Sequence, residues 1–139
     1  VTMLKQLCFF RKRPDMNMDE FMDYYENQHS QLARKMGAAP AIPGAVRYVR
    51  RYLVPEKNPI TGEVHDPGYD CVMEIWWNSR EDFERSQAII SDPARLPMTK
   101  ADEEKLFASH ANPVCTCIEY DSPMGPNGEA TRVELSYGD

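Results

Sequence analysis

The chain has 139 residues, 42% apolar and 27% charged, the composition of one ordinary globular domain. A formal net charge of −6 speaks against nucleic acid or an anionic membrane as partner, since both demand a basic face. No run of about 18 apolar residues is present to span a bilayer.

Leu4 to Phe10 is a nearly continuous apolar run closed by Arg11-Lys12-Arg13-Pro14, and it reads as a buried strand. Asn17 followed by Glu20 is a capping-box pair. Beyond it Phe21, Tyr25, Gln28, Leu32 and Met36 recur at helical spacing until Gly37 stops the pattern. Residues 37–44, with two prolines and three alanines, read as a loop. Ala45 to Val54 is rich in β-formers and predicts a second strand. Residues 55–68 carry three prolines and two glycines and read as a long connection. Asp70 to Trp77 predicts the third and most apolar strand. Ser79 then caps a helix through Phe83 and Ile90, with Asp82 three residues after the cap. Asp92-Pro93 ends that helix, and Thr99 begins a short one with Leu106 and Phe107 on one face. Val114 to Tyr120 predicts the fourth strand. The domain therefore runs over 1–121, and 122–139 reads as a C-terminal tail, or an arm crossing to a partner.

This order is β-α-β twice, an α+β arrangement of the split ferredoxin-like type: βαββαβ, with a four-stranded antiparallel sheet and helices on one face. Strands of such a sheet alternate apolar with polar residues. Leu7-Cys8-Phe9-Phe10, Cys71-Val72-Met73 and Ile75-Trp76-Trp77 do not alternate, so both faces are expected to be buried. Helices cover only one face, and the other is expected to pack on a second copy in a twofold homodimer. Cys8, Cys71, Cys115 and Cys117 all lie in apolar runs, as reduced thiols do. With no tripartite secretory signal at the first residues, the expectation is a cytoplasmic protein.

His29 leads the candidates for chemistry. It lies four residues after Tyr25 and eight after Phe21 on the same stripe, and an imidazole there can move protons near pH 7 without a cofactor. The alternative is a structural histidine bonding a neighbouring strand or loop. His65 lies in the long connection, where functional residues gather, or is a plain exposed polar residue. His110 precedes the last strand. Tyr24, Tyr25, Tyr48, Trp76 and Trp77 are either walls of an aromatic pocket or core. Gln6 and Glu74 interrupt apolar strands and need partners, in the pocket, in each other or at a dimer seam. Cys115-x-Cys117 puts both sulfurs on one strand face, unlike the turn-borne pairs of zinc sites. The three histidines lack the spacing of a metal triad, and there is no G-x-G-x-x-G, P-loop or G-x-S-x-G. No metal and no cofactor are expected.

The stretch LCFFRKRPDMNMDEFMDYYENQHSQLARKM, with Phe21, Tyr24, Tyr25, His29 and Leu32 in register, resembles the opening of EthD-family proteins. YDCVMEIWWNSREDF is similar to that family's third strand and second helix, and ADEEKLF to its ending, so the likeness spans residues 3–121. Tyr25 stands where the family usually shows Trp, and Cys71 where Gly is usual. The resemblance implies a dimeric α+β barrel with a pocket between the first helix and its sheet. Relatives of that barrel include cofactor-free decarboxylases, dehydratases and cyclases of aromatic polyketides, lactone isomerases, monooxygenase-type members and proteins of no known activity. The function expected on this basis is a cofactor-independent lyase or cyclase. It would act on a small hydrophobic substrate, an aromatic polyketide-like or phenolic intermediate, with His29 as general acid/base. An isomerase or monooxygenase of aromatic catabolism, or a non-catalytic small-ligand carrier or accessory subunit, is the alternative.

Overall fold

The computed structural model describes residues 3–32, 42, 44–122, 124 and 132–134. Strands β1 (Leu4–Phe10), β2 (Ala45–Tyr52), β3 (Cys71–Trp77) and β4 (Val114–Thr116) form one sheet in the order β2-β3-β1-β4. Every pairing in it is antiparallel. This is the ferredoxin-like order, in which β3 inserts between the two strands joined by the first helix. The helices are α1 (Met18–Asn27), α2 (Arg80–Ile90) and α3 (Leu96–Glu104), with a 3₁₀ turn at His29–Gln31. Strand β5 (Glu119–Asp121) pairs with β6 (Arg132–Glu134) in a separate two-stranded ribbon.

The capping signals act where the sequence places them. Asn17 accepts from the Glu20 N–H at 2.8 Å while the Glu20 carboxylate accepts from the Asn17 N–H at 3.1 Å. Ser79 accepts from the Asp82 N–H at 3.1 Å. Three boundaries differ from expectation. The first helix leaves α geometry at Gln28 (φ −120°, ψ −64°), so His29 sits in the 3₁₀ turn and not on a continuing stripe. The expected end at Met36 and Gly37 lies outside the described residues, as does most of the tail. The third helix begins at Leu96 rather than Thr99, because Pro97 occupies the first turn, where a missing N–H is harmless. The fourth strand divides: Val114–Thr116 pairs with Cys8–Gln6, and the chain then leaves the sheet to build the ribbon.

One sheet face is buried beneath the helices. Leu4, Cys8 and Phe10 of β1 and Cys71, Met73, Ile75 and Trp77 of β3 form the core with Phe21 and Tyr25 of α1. Phe83 of α2 lies 6.3 Å from the Trp77 ring on the same side. The expectation of two buried faces is corrected for the single chain: β1 alternates buried with half-buried residues along its whole length. Lys5, Leu7 and Phe9 point to the open face, opposite Trp76, Glu74 and Val72. No helix among the described residues covers them, so the polar groups there cover their neighbours. Lys5 Nζ lies 4.3 Å and the Arg47 guanidinium 4.8 Å from the Trp76 ring centroid. Trp76 donates to Glu74 at 2.6 Å.

Leu106 is fully buried, whereas Asn17 acts only through its cap. Leu106→Ala is expected to remove about 2–5 kcal/mol of stability, and Asn17→Ala about 1 kcal/mol. Urea unfolding followed by circular dichroism checks this; equal losses in the two variants would contradict the assignment of the core.

Candidate active site

The segment after α3 is laced to the end of β1. The Arg13 N–H donates to the Leu106 carbonyl at 3.1 Å and the Ala108 N–H to the Arg11 carbonyl at 2.9 Å. Phe107 stacks on Phe10 with centroids 4.3 Å apart and planes 8° from parallel. These contacts set the last turn of α3 beside α1, and they bring Asp102 inward, where it is 8% exposed. Tyr24 donates its O–H to Asp102 Oδ1 at 2.7 Å. His29 Nδ1 lies 2.6 Å from Oδ2.

An ionised carboxylate only accepts, so the proton of this bond belongs to Nδ1, and Nε2 is the basic nitrogen of the neutral ring. Tyr25 and Phe107 meet the imidazole edge-on, with centroids 5.2 and 5.5 Å away, and fix its plane. Burial and the hydrogen bond to Asp102 push the Tyr24 phenol up to about 12, so it remains a neutral donor to the carboxylate. The arrangement is a phenol–carboxylate–imidazole chain ending at Nε2.

His29 lines a cavity of about 300 Å³ between the helices and the sheet. That is the small end of the ~300–1,000 Å³ range of ligand pockets. Phe10, Met73, Ile75 and Trp77 contribute the sheet side, with Tyr25 and Ile90 from the helices. Gln6 at its floor is satisfied: it accepts from Trp77 Nε1 at 3.0 Å and donates toward Cys8 Sγ at 3.4 Å. The Tyr25 and Tyr48 hydroxyls, also at the cavity, lie 3.0 Å apart. Burial pushes Tyr48 up to about 12 and Tyr25 well above the ordinary phenol value, so both carry their protons. Arg50 braces this pair, its guanidinium 4.5 Å from the Tyr48 ring and paired with Glu26 of α1.

The structure thus gathers His29, Tyr25, Tyr48 and Trp77 at one cavity, and Tyr24 reaches it through Asp102. Three sequence candidates stand elsewhere in the chain. Trp76, expected in a pocket wall or the core, lies on the open sheet face because it is one residue out of phase with Ile75 and Trp77. Glu74 lies on the open sheet face, because it is one residue out of phase with Met73 and Ile75; there it accepts from Trp76 and lies 3.5 Å from Arg51. Gln6 and Glu74 therefore do not bond each other. His65 is exposed in the long connection, 2.8 Å from Thr61 Oγ1. Sequence reasoning missed Asp102, which sits in the charged run Asp102-Glu103-Glu104-Lys105. Its one signal was Leu106, four residues on and so on the same helical side. Among the described residues, no three His, Cys, Asp or Glu side chains converge as metal ligands.

Nitrogen NMR of the imidazole should report His29 protonated at Nδ1 and bare at Nε2. In Asp102→Asn the amide can donate to Nδ1, which drives the ring proton to Nε2. An Nε2–H tautomer in the unaltered protein would contradict the geometry.

The sequence matches the EthD domain over residues 13–110. Among curated proteins, none matches the chain. Among solved structures it is similar to an ethyl tert-butyl ether D (EthD) family protein from Bacillus halodurans C-125. The two share 20% identity at a TM-score of 0.53, over 84% of this chain and 98% of that one. A hydroxynitrile lyase from Passiflora edulis is similar at 14% identity and a TM-score of 0.49, over 85% and 94% of the two chains. A dimeric protein of unknown function and ferredoxin-like fold from Bacteroides fragilis NCTC 9343 is similar at 15% identity and a TM-score of 0.47, over 83% and 94%. The domain match spans well over half of the sequence and includes Tyr24, His29 and Asp102, and the resemblance read from residues 3–121 agrees with it: the chain belongs to the EthD family.

Proposed function

We propose that the protein is a cofactor-independent lyase or cyclase that moves a proton at an activated carbon of an aromatic polyketide-like or phenolic substrate, with His29 as general acid/base. The observation that carries this reading is the buried Asp102 carboxylate holding His29 Nδ1 in a cavity wall. A carboxylate so placed fixes the ring's tautomer and stabilises the imidazolium that forms when Nε2 takes a proton. The two tyrosine hydroxyls supply the complementary group. They share one mutual hydrogen bond but carry two protons, so one O–H remains for a ligand oxygen. A hydrogen bond from that phenol stabilises the enolate oxygen as the adjacent carbon loses its proton to His29. Decarboxylation, dehydration and ring closure all pass through such an enolate. A carrier would need only apolar walls; a buried charge aimed at an imidazole favours catalysis.

The open face of the sheet supports a twofold homodimer, which would complete the α+β barrel. Leu7, Phe9 and Val72 lie half-buried there with no helix among the described residues above them. Light scattering at micromolar concentration is expected to give twice the chain mass, and Phe9→Asp to shift the protein toward monomer. A monomeric mass for the unaltered protein would overturn the dimer.

Turnover is to be measured on a panel of aryl β-keto acids and β-hydroxy aryl ketones. His29→Gln is expected to keep the fold and lower the rate about 100- to 10,000-fold, the usual contribution of a positioned proton-transfer group. Chelation is expected to leave the rate of the unaltered protein intact. Normal turnover per folded molecule of a destabilised His29→Gln variant would reject the catalytic role.

A further inference from the structure

Asp102 has a neighbour that repeats its arrangement. Glu103 Oε2 lies 3.0 Å from Nδ1 of His110, so consecutive residues of α3 each hold a different histidine. Both histidines line the same cavity. They reach it from different elements, His29 from the turn after α1 and His110 from the segment between α3 and β4.

The two rings differ in their partners. His29 has one carboxylate partner, at Nδ1. His110 has two: Glu103 at Nδ1, and Glu104 Oε1 at 3.2 Å from Nε2. Carboxylates only accept, so the pair of contacts favours the imidazolium, the form of the ring that donates from both nitrogens. The hydrogen bonds to Glu103 and Glu104 raise its pKa above the ordinary histidine value. From the segment after β1, Arg13 and Asp15 share the groove outside His110, but they pair with each other at 2.8 Å. The Glu104 side chain is 69% exposed against 24% for Glu103. The outer contact is therefore the weak one, and a ligand oxygen can replace it at Nε2 while Glu103 keeps its hold.

We propose that His110 is a general acid working with His29, and that the cavity dehydrates β-hydroxy carbonyl compounds of aromatic type. This rests on the reading of His29 as the base. In the first step His29 Nε2 takes the proton from the carbon between carbonyl and carbinol, and the C–H electron pair becomes the enolate. In the second the enolate re-forms the carbonyl, its electrons make the Cα–Cβ double bond, and the Cβ–O bond breaks. The His110 Nε2 proton goes to the departing oxygen, which leaves as water. Solvent then carries the proton on His29 back to His110, and the net products are the enone and one water. Loss of CO2 needs no acid at a leaving oxygen, whereas loss of hydroxide does, so a second protonated group favours dehydration.

The experiment uses the full chain with a β-hydroxy aryl ketone in deuterated water, following deuterium entry at the α-carbon and enone formation separately. The unaltered protein should do both, and His29→Gln should lose both. His110→Gln should keep exchange within about threefold and lose enone formation by about 100-fold or more. Its rate should return toward the unaltered value on the β-acetoxy analogue, because acetate departs unprotonated. Glu103→Gln should weaken enone formation alone. Intact dehydration by His110→Gln, or exchange without enone in the unaltered protein, would overturn the acid role and leave His29 standing. Absence of exchange in the unaltered protein would overturn both.

Discussion

A carboxylate that is 8% exposed holds the site together. An isolated buried charge costs several kcal/mol even after relaxation, so Asp102 is tolerable only while both its oxygens are bonded. Tyr24 serves one and His29 the other, and these donors belong to α1 and the turn that follows it. The same two bonds therefore compensate the charge, tie the first helical segment to the third helix and orient the imidazole. The switch from α to 3₁₀ geometry at Gln28 belongs to this solution, as does the Phe107–Phe10 stack that fixes the last turn of α3.

A second polar network secures the other side of α1. Glu26 is paired with Arg50 and accepts from Tyr52, joining the helix to β2 beneath the helices. The Arg50 hydrogen bonds, with help from Tyr52 and against burial, hold the Glu26 carboxyl below its usual range. A depressed carboxylate stabilises the fold above its unfolded pKa and loses that contribution as pH falls through the folded value. Acid should thus loosen α1 from β2, and with it Tyr48, whose ring lies against Arg50. The two faces of the sheet divide the labour: the helix side encloses aromatic and apolar walls, and the open side keeps charges laid over Trp76.

Much of the fold was legible because local chemistry dictates it. The Asn17 and Ser79 caps, the apolar runs of β1 and β3 and the proline-rich connection all act through neighbours in sequence. The family was legible from the register of Phe21, Tyr24 and His29. Where long-range packing decides, the reading failed. Whether Val114 to Tyr120 stays in one sheet depends on where β1 begins and on a strand at 132–134. Period-two phase puts Glu74 on the open face, yet the unbroken apolar run around it hid that phase. Asp102 and Glu103 drew no reading of their own within ADEEKLF, and only folding shows that each holds a histidine.

The central claim is that Asp102 acts on chemistry solely through His29. A double-mutant cycle on turnover tests it most directly, because residues that act as a unit are non-additive. Asp102→Asn alone should slow turnover while leaving the protein folded. Added to His29→Gln, it should slow the reaction no further, since the group it positions is already gone. Independent losses that multiply in the double variant would contradict the account.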